Sequence, residues 1–99
     1  MTAKLDIILI GLNHKTASVE IRECLGFSGD DQDAALERLN DLGAVREVLL
    51  VSTCNRVEVL VVTNDSARAV VETKNFIAEF NKIPLVQFED ALYVHEGKE

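Results

Sequence analysis

The sequence is short of several things at once. Of its 99 residues two are cysteine, one is proline, one is tyrosine and none is tryptophan. Two thiols, Cys24 and Cys54, cannot make the several-bridge framework of a small secreted domain. Neither lies in a CxxC or Cys/His pattern, so no metal is expected. Purely apolar runs reach about four residues, as at 48–51, against the roughly 18 of a membrane span. The start, Met1-Thr2-Ala3-Lys4, lacks the cationic and apolar stretches of a secretory signal. A reducing, cytoplasmic setting without membrane contact is expected. Basic side chains are also scarce, ten against seventeen acidic ones, for a net charge of −7. Phosphate binding draws on Lys and Arg, so the chain is not an electrostatic clamp on nucleic acid, although local contact with an RNA end stays open. There is no repeat, no low-complexity tract and no linker rich in Pro, Gly or Ser. The length suits one domain with a core rather than two.

What is present is periodic. Residues 5–12 are apolar and β-branched, punctuated by Gly11 and Asn13, and read as a buried strand. Residues 18–25 hold a short helix with Val19, Ile21 and Leu25 as its apolar residues, and the run 26–29, Gly-Phe-Ser-Gly, breaks the chain. A helix over 30–42 has acids in its first turn, an apolar stripe of Ala35, Leu36, Leu39 and Leu42, and Gly43 as its stop. Two strands, 46–53 and 56–63, flank a tight turn; in the second, Val57, Val59 and Val61 share one face and Glu58, Leu60 and Val62 the other. Ser66 can cap a helix to about residue 81 with Val70, Ile77 and Phe80 on one side, and 91–95 is a last strand. The order strand, two helices, strand, strand, helix, strand predicts an α+β, ferredoxin-like split βαβ sandwich, an antiparallel sheet with helices on one face. Right-handed crossovers place the first strand beside the third, expected here as a parallel pair.

Chemistry concentrates in two places. Cys54 lies in Ser52-Thr53-Cys54-Asn55-Arg56 between apolar strands. Cysteine is a poor turn former, so turn chemistry alone does not account for it. The thiolate is the working nucleophile, and a nearby cation such as Arg56 favours it. The same arginine can instead grip a carboxylate with its two-pronged donors, and Ser52, Thr53 and Asn55 can donate to a developing oxyanion. The plain alternative is a small buried cysteine at a strand end. Asn13-His14-Lys15-Thr16 follows the first strand, where loops often carry polar site residues. His14 is a candidate base and Lys15 a candidate anion binder; the plain alternative is a solvated loop. Cys24 reads as core and His95 as an exposed or strand-edge histidine. Asn64-Asp65-Ser66 matches a glycosylation sequon but reads as a turn and helix cap. The GxxG at 26–29 is similar to the phosphate-clamping loop of KH-type RNA-binding modules, but Asp30, Asp31 and Asp33 follow at once and repel phosphate. No Gly-rich nucleotide loop is present.

Two blocks together resemble a known family. Gly11-Leu12-Asn13-His14-Lys15-Thr16-Ala17, followed by Val19-Glu20-Ile21-Arg22-Glu23, resembles the opening signature of glutamyl-tRNA reductases. Ser52-Thr53-Cys54-Asn55-Arg56-Val57-Glu58 resembles the active-site signature of that family, and the likeness runs on through Leu92-Tyr93-Val94-His95. The resemblance implies an enzyme that reduces glutamyl-tRNA to glutamate-1-semialdehyde, the opening of the five-carbon route to tetrapyrroles such as heme. It implies that Cys54 attacks the aminoacyl ester and holds glutamate as a thioester, which hydride from NADPH reduces. It also implies that Thr53 and Arg56 help to hold glutamate and that Asn13, His14 and Lys15 line the same pocket. Family members continue past this length, with a further histidine and serine, an NADPH domain and a helical dimerisation domain. Residues 1–99 are therefore expected to be the substrate-binding part, with NADPH held elsewhere. The expected partners are glutamyl-tRNA, a second copy of the full-length protein and the downstream semialdehyde aminotransferase. His95 is not expected to be the family's further histidine. Ser18 stands where many members have proline, which loosens the helix entry without touching the chemistry.

Three rivals remain. A non-catalytic ferredoxin-like module that binds a ligand or partner requires an inert Cys54. An RNA-binding module requires a basic groove beside residues 26–29. A thiol-redox role requires Cys24 to approach Cys54.

Overall fold

The computed structural model describes residues 5–25, 27, 29–53 and 55–98, without the side chains of residues 24, 30 and 98. The readings of Cys54 as nucleophile, of Cys24 as core and of the 26–29 GxxG as a loop motif therefore lie outside the described residues.

Strand β1 spans Asp6–Asn13, followed by helices α1, Val19–Leu25, and α2, Gly29–Asn40. Strands β2, Glu47–Ser52, and β3, Arg56–Thr63, form a hairpin; helix α3, Ser66–Asn81, leads to two short 3₁₀ turns, Leu85–Gln87 and Glu89–Ala91, and to strand β4, Tyr93–Lys98. The sheet order is β2-β3-β1-β4, and each neighbouring pair is antiparallel. This is the ferredoxin-like split βαβ order of an α+β fold. The first strand does lie beside the third, but the expected parallel pairing is wrong. Each helical crossover joins two parallel strands, β1 to β2 and β3 to β4, and skips one strand between them. The tight β2–β3 turn reverses the chain, so β3 enters the gap beside β1 running the other way.

Alternation decides which face of the sheet is dry. Ile8, Ile10 and Leu12 of β1 and Val57, Val59 and Val61 of β3 are buried against the helices. They meet Ala35 and Leu39 of α2, Ala69, Phe76 and Ile77 of α3, and Phe88 from the 3₁₀ turns. Phe27 closes one end, its ring tilted against Phe80 at 5.2 Å, and Phe80 against Phe76 at 5.3 Å. The opposite face presents Leu49 on β2, which is 57% exposed, together with half-buried Leu9, Leu60 and Val62.

Several element boundaries differ from those expected, each for a local reason. Gly11 lies inside β1, paired with Glu58 on one side and Tyr93 on the other, and does not end the strand. Helix α2 stops at Asn40, and the bonds Asp41 N to Arg38 O and Leu42 N to Leu39 O tighten its exit. Gly43 has no positive φ and so makes no left-handed cap. The cap of α3 is Asp65, whose carboxylate accepts from the Arg68 N–H at 3.3 Å. Ser66 instead donates its hydroxyl to Asp6 on β1 at 2.6 Å, tying the helix start to the sheet. At the other end Lys82 takes the left-handed conformation, φ 58, and its N–H closes onto Ala78 and Glu79. The last strand starts at Tyr93 rather than 91, because Ala91 belongs to the second 3₁₀ turn.

Because one face is dry and the other is not, apolar residues of equal size on the two faces should respond differently to truncation. Ile10→Ala is expected to cost about 2–5 kcal/mol, and Leu49→Ala to stay within about 0.5 kcal/mol. Urea titration followed by far-UV circular dichroism measures both.

Candidate active site

The two polar blocks lie about 40 residues apart in sequence, and the β1–β3 ladder brings them to one end of the sheet. Asn13 pairs with Arg56, Leu12 with Val57 and Gly11 with Glu58. Asn13 organises the loop that leaves β1. Its side-chain oxygen accepts from the Lys15 N–H at 2.8 Å and the Thr16 N–H at 3.3 Å, and its carbonyl accepts from the Ala17 N–H at 2.9 Å. The Thr16 hydroxyl accepts from the Asn13 N–H at 3.0 Å. This Asx-type closure uses the loop's own donors to hold it. His14 and Lys15 are carried outward on it, both exposed.

The second block is held in a similar way. Thr53 Oγ1 accepts from the Asn55 and Arg56 N–H groups, each at 3.2 Å, while the Thr53 N–H donates to the Arg56 carbonyl at 2.8 Å. Thr53 therefore shapes the turn that joins β2 to β3. Asn55 is exposed on that turn. Ser52 points the other way: it pairs with Val57 of the buried face, and its Oγ accepts from the Phe27 N–H at 2.9 Å. Thr53, Asn55, Arg56, Asn13, His14 and Lys15 thus share one end of the sheet, whereas the Ser52 hydroxyl is engaged on the helix side.

Two residues not singled out in the sequence complete the arrangement. The Arg56 guanidinium meets the Glu58 carboxylate at 3.3 Å, with side-chain exposures of 48% and 12%. The other oxygen of Glu58 accepts from the Tyr93 hydroxyl at 2.5 Å. Arg56 is half exposed, and the contact with Glu58 engages one of its nitrogens, Nη1. Period-two alternation puts Arg56 and Glu58 on one face, and that signal was legible in the sequence. The arrival of Tyr93 from a strand near the other end of the chain was not. Together with Leu9, Asn13, Lys15, Thr16 and His95, Glu58 and Tyr93 line a shallow groove of about 430 Å³ on the open face. His95 is exposed, and its ring lies 5.2 Å from that of Tyr93.

The Tyr93 hydroxyl is pushed up from its ordinary 10.0 to about 12. Burial is the largest cause, followed by the hydrogen bond to Glu58 and the negative charge of Glu58; the Arg56 charge and the Asn13 amide pull the other way. Among the described residues no group of three or more His, Cys, Asp or Glu is placed to hold a metal ion. No helix is long and apolar enough to cross a membrane among those residues.

The shift of Tyr93 carries a pH dependence. A folded-state pKa above the unfolded one means that the folded protein holds the proton more tightly. The resulting stability is complete below pH 10 and is lost as pH rises towards about 12. Chemical denaturation across pH 9–12 should show this decline in the wild-type chain and a flatter profile in Tyr93→Phe.

Comparison with known proteins shows the family. The family described as glutamyl-tRNAGlu reductase, N-terminal domain, matches residues 10–99. Glutamyl-tRNA reductase of Desulfatibacillum aliphaticivorans is 42% identical over 95 residues, 96% of this chain and 22% of that protein. The reductase of Citrifermentans bemidjiense is 39% identical over 95 residues, with the same coverage of both chains. That of Geobacter sulfurreducens is 38% identical over 94 residues, 95% of this chain and 22% of that protein. The chain spans about a fifth of the length of these curated relatives. Matched along nine-tenths of its length, with both polar blocks inside the matched region, the chain belongs to the glutamyl-tRNA reductase N-terminal domain family.

Proposed function

We propose that this chain is the substrate-binding and nucleophile-bearing part of an enzyme that reduces glutamyl-tRNA to glutamate-1-semialdehyde, a precursor of tetrapyrroles. The observation that carries the reading is the Asn13–Arg56 pairing, which joins the two family blocks into one polar end of the sheet. Cys54 belongs to the second block. In the proposed reaction its sulfur attacks the ester carbonyl of the glutamyl group. The C–S bond forms, the ester C–O bond breaks, and the tRNA hydroxyl leaves with a proton. Nucleophilic catalysis of this kind divides one difficult step into two.

Arg56 is the group we assign to the glutamate carboxylate. It is half exposed, and one of its nitrogens is engaged by Glu58, so a second carboxylate can take the rest of its fork. Thr53 holds the turn. Asn13 shapes the neighbouring loop from which Lys15 and Thr16 face the groove. Lys15 adds a positive charge there, and His14 lies beside it on the same loop. Asn55, exposed on the turn, is the group we assign to the ester end of the substrate, and the Ser52 hydroxyl, bonded to the Phe27 N–H, supports the strand end from behind. The reductant we assign to the whole enzyme is NADPH, held by sequence outside this chain, which spans about a fifth of the length of its relatives. Glutamyl-tRNA as substrate, a second copy of the full-length enzyme, the semialdehyde aminotransferase as successor and a cytoplasmic setting complete the proposal.

The rival reading, a non-catalytic module, predicts that Cys54 is no more reactive than Cys24. Iodoacetamide labelling at neutral pH with site-resolved mass spectrometry separates the two. Cys54 is expected to label at least about tenfold faster than Cys24, with much of the advantage lost in Arg56→Ala. Equal labelling of both cysteines would remove the basis for a nucleophile here. In the full-length enzyme, Cys54→Ala is expected to lower kcat by on the order of 10⁴-fold or more. Arg56→Lys should not restore what Arg56→Ala loses, since an ammonium lacks the planar fork.

A further inference from the structure

Three strands meet in one cross-strand row. Glu58 on β3, Gly11 on β1 and Tyr93 on β4 are register partners. Side chains two strands apart normally stand about 10 Å from each other with the middle residue between them. Here the middle residue is glycine, and the Tyr93 hydroxyl reaches the Glu58 carboxylate at 2.5 Å. The space over Gly11 is occupied. A Cβ there would lie 2.8 Å from Glu58 Cγ and 2.9 Å from Glu58 Cα and would collide with the Val57 carbonyl. The Glu58 side chain thus leans across β1 over Gly11. It is only 12% exposed and spends its two oxygens on different partners, one on Tyr93 and one on Arg56.

We propose that Tyr93 is a positioning residue: across the side-chain-free Gly11 it fixes the Glu58 carboxylate, which in turn sets the direction of the Arg56 guanidinium. The proposal rests on the assignment of Arg56 to the substrate carboxylate. A carboxylate held by one partner alone can rotate and engage both prongs of a neighbouring arginine. Held by Tyr93 as well, Glu58 presents a single oxygen to Arg56 and leaves the rest of the fork for substrate. Tyr93 acts through Glu58, and the ring of His95 packs against its own.

The chain contains one tyrosine and no tryptophan, so phenolate absorbance reports Tyr93 alone. Wild-type Tyr93 is expected to ionise near the raised value of about 12, and Glu58→Gln to bring it back towards 10. Ordinary titration near 10 in the wild type would overturn the Tyr93–Glu58 contact and the proposal with it. The functional arm uses the full-length enzyme and glutamyl-tRNA. Tyr93→Phe keeps the ring and is expected to raise KM roughly five- to tenfold, as for loss of one hydrogen bond to a charged group, with kcat changed less than about twofold. In an Arg56→Ala background the same substitution should add nothing, because no guanidinium is left to position. Additive effects of the two substitutions would reduce Tyr93 to a structural role and overturn the proposal. If Arg56→Ala alone left KM unchanged while Tyr93 titrated as expected, the carboxylate assignment of Arg56 would be the part that failed, and the positioning role would fall with it.

Discussion

The central position of β1 is the constraint on which the rest depends. Like β3, it has a partner on each side along most of its length, β3 from Asp6 to Asn13 and β4 from Asp6 to Gly11. Its inward residues, Ile8, Ile10 and Leu12, are fully buried and form the floor on which the helices rest. Its outward residues set what the open face can carry. A one-residue slip would exchange these two sets, moving three buried aliphatic side chains into water. The hydrophobic floor therefore locks the register, and the register places Asn13 beside Arg56 and Gly11 between Glu58 and Tyr93. The polar end of the sheet is positioned by forces that act on its other face.

The interior was legible from alternation. Val57, Val59 and Val61 face the helices as their spacing implies, and Ala35 and Leu39 of α2 are buried in the same core. Element order led correctly to a split βαβ sheet with the first strand beside the third. Element order does not carry strand direction between neighbours, because the crossover rule relates the strands that each helix joins rather than those side by side in the sheet. Boundaries slipped where a glycine or serine was read by type alone. Gly11 has the residue type of a strand end and is a thin point inside a strand, while Ser66 has the residue type of the cap that Asp65 supplies. The 3₁₀ turns at 85–91 had no periodic signal, since a three-residue turn is shorter than any period it would display.

The site was legible in part and for a different reason. Its two blocks are continuous in sequence, so their residue types could be read directly, and antiparallel pairing of β1 with β3 supplied their meeting. The third contribution comes from β4, whose pairing with β1 is long-range and carries no local mark. Tyr93 is an ordinary aromatic residue in a strand until its register against Gly11 is known. Ser52 shows the converse. Its place in the block suggested a donor to substrate, while its position opposite Val57 turns its hydroxyl towards Phe27.

The cross-strand row has a consequence for how the chain acquires its site. Glu58, Gly11 and Tyr93 come from the middle, the beginning and the far end of the sequence. No hairpin or single βαβ unit contains all three. The β2–β3 hairpin can form early, because its closure is local, and it can bring Arg56 and Glu58 together on one face. The carboxylate then has no second partner until β4 docks on the opposite edge of β1. A nascent or partly unfolded molecule would hold arginine and glutamate as a closed pair with nothing to share with a ligand. If Tyr93 positions Glu58 as proposed, the open state of the Arg56 fork depends on the pairing of β4 with β1 and is lost when that edge strand detaches.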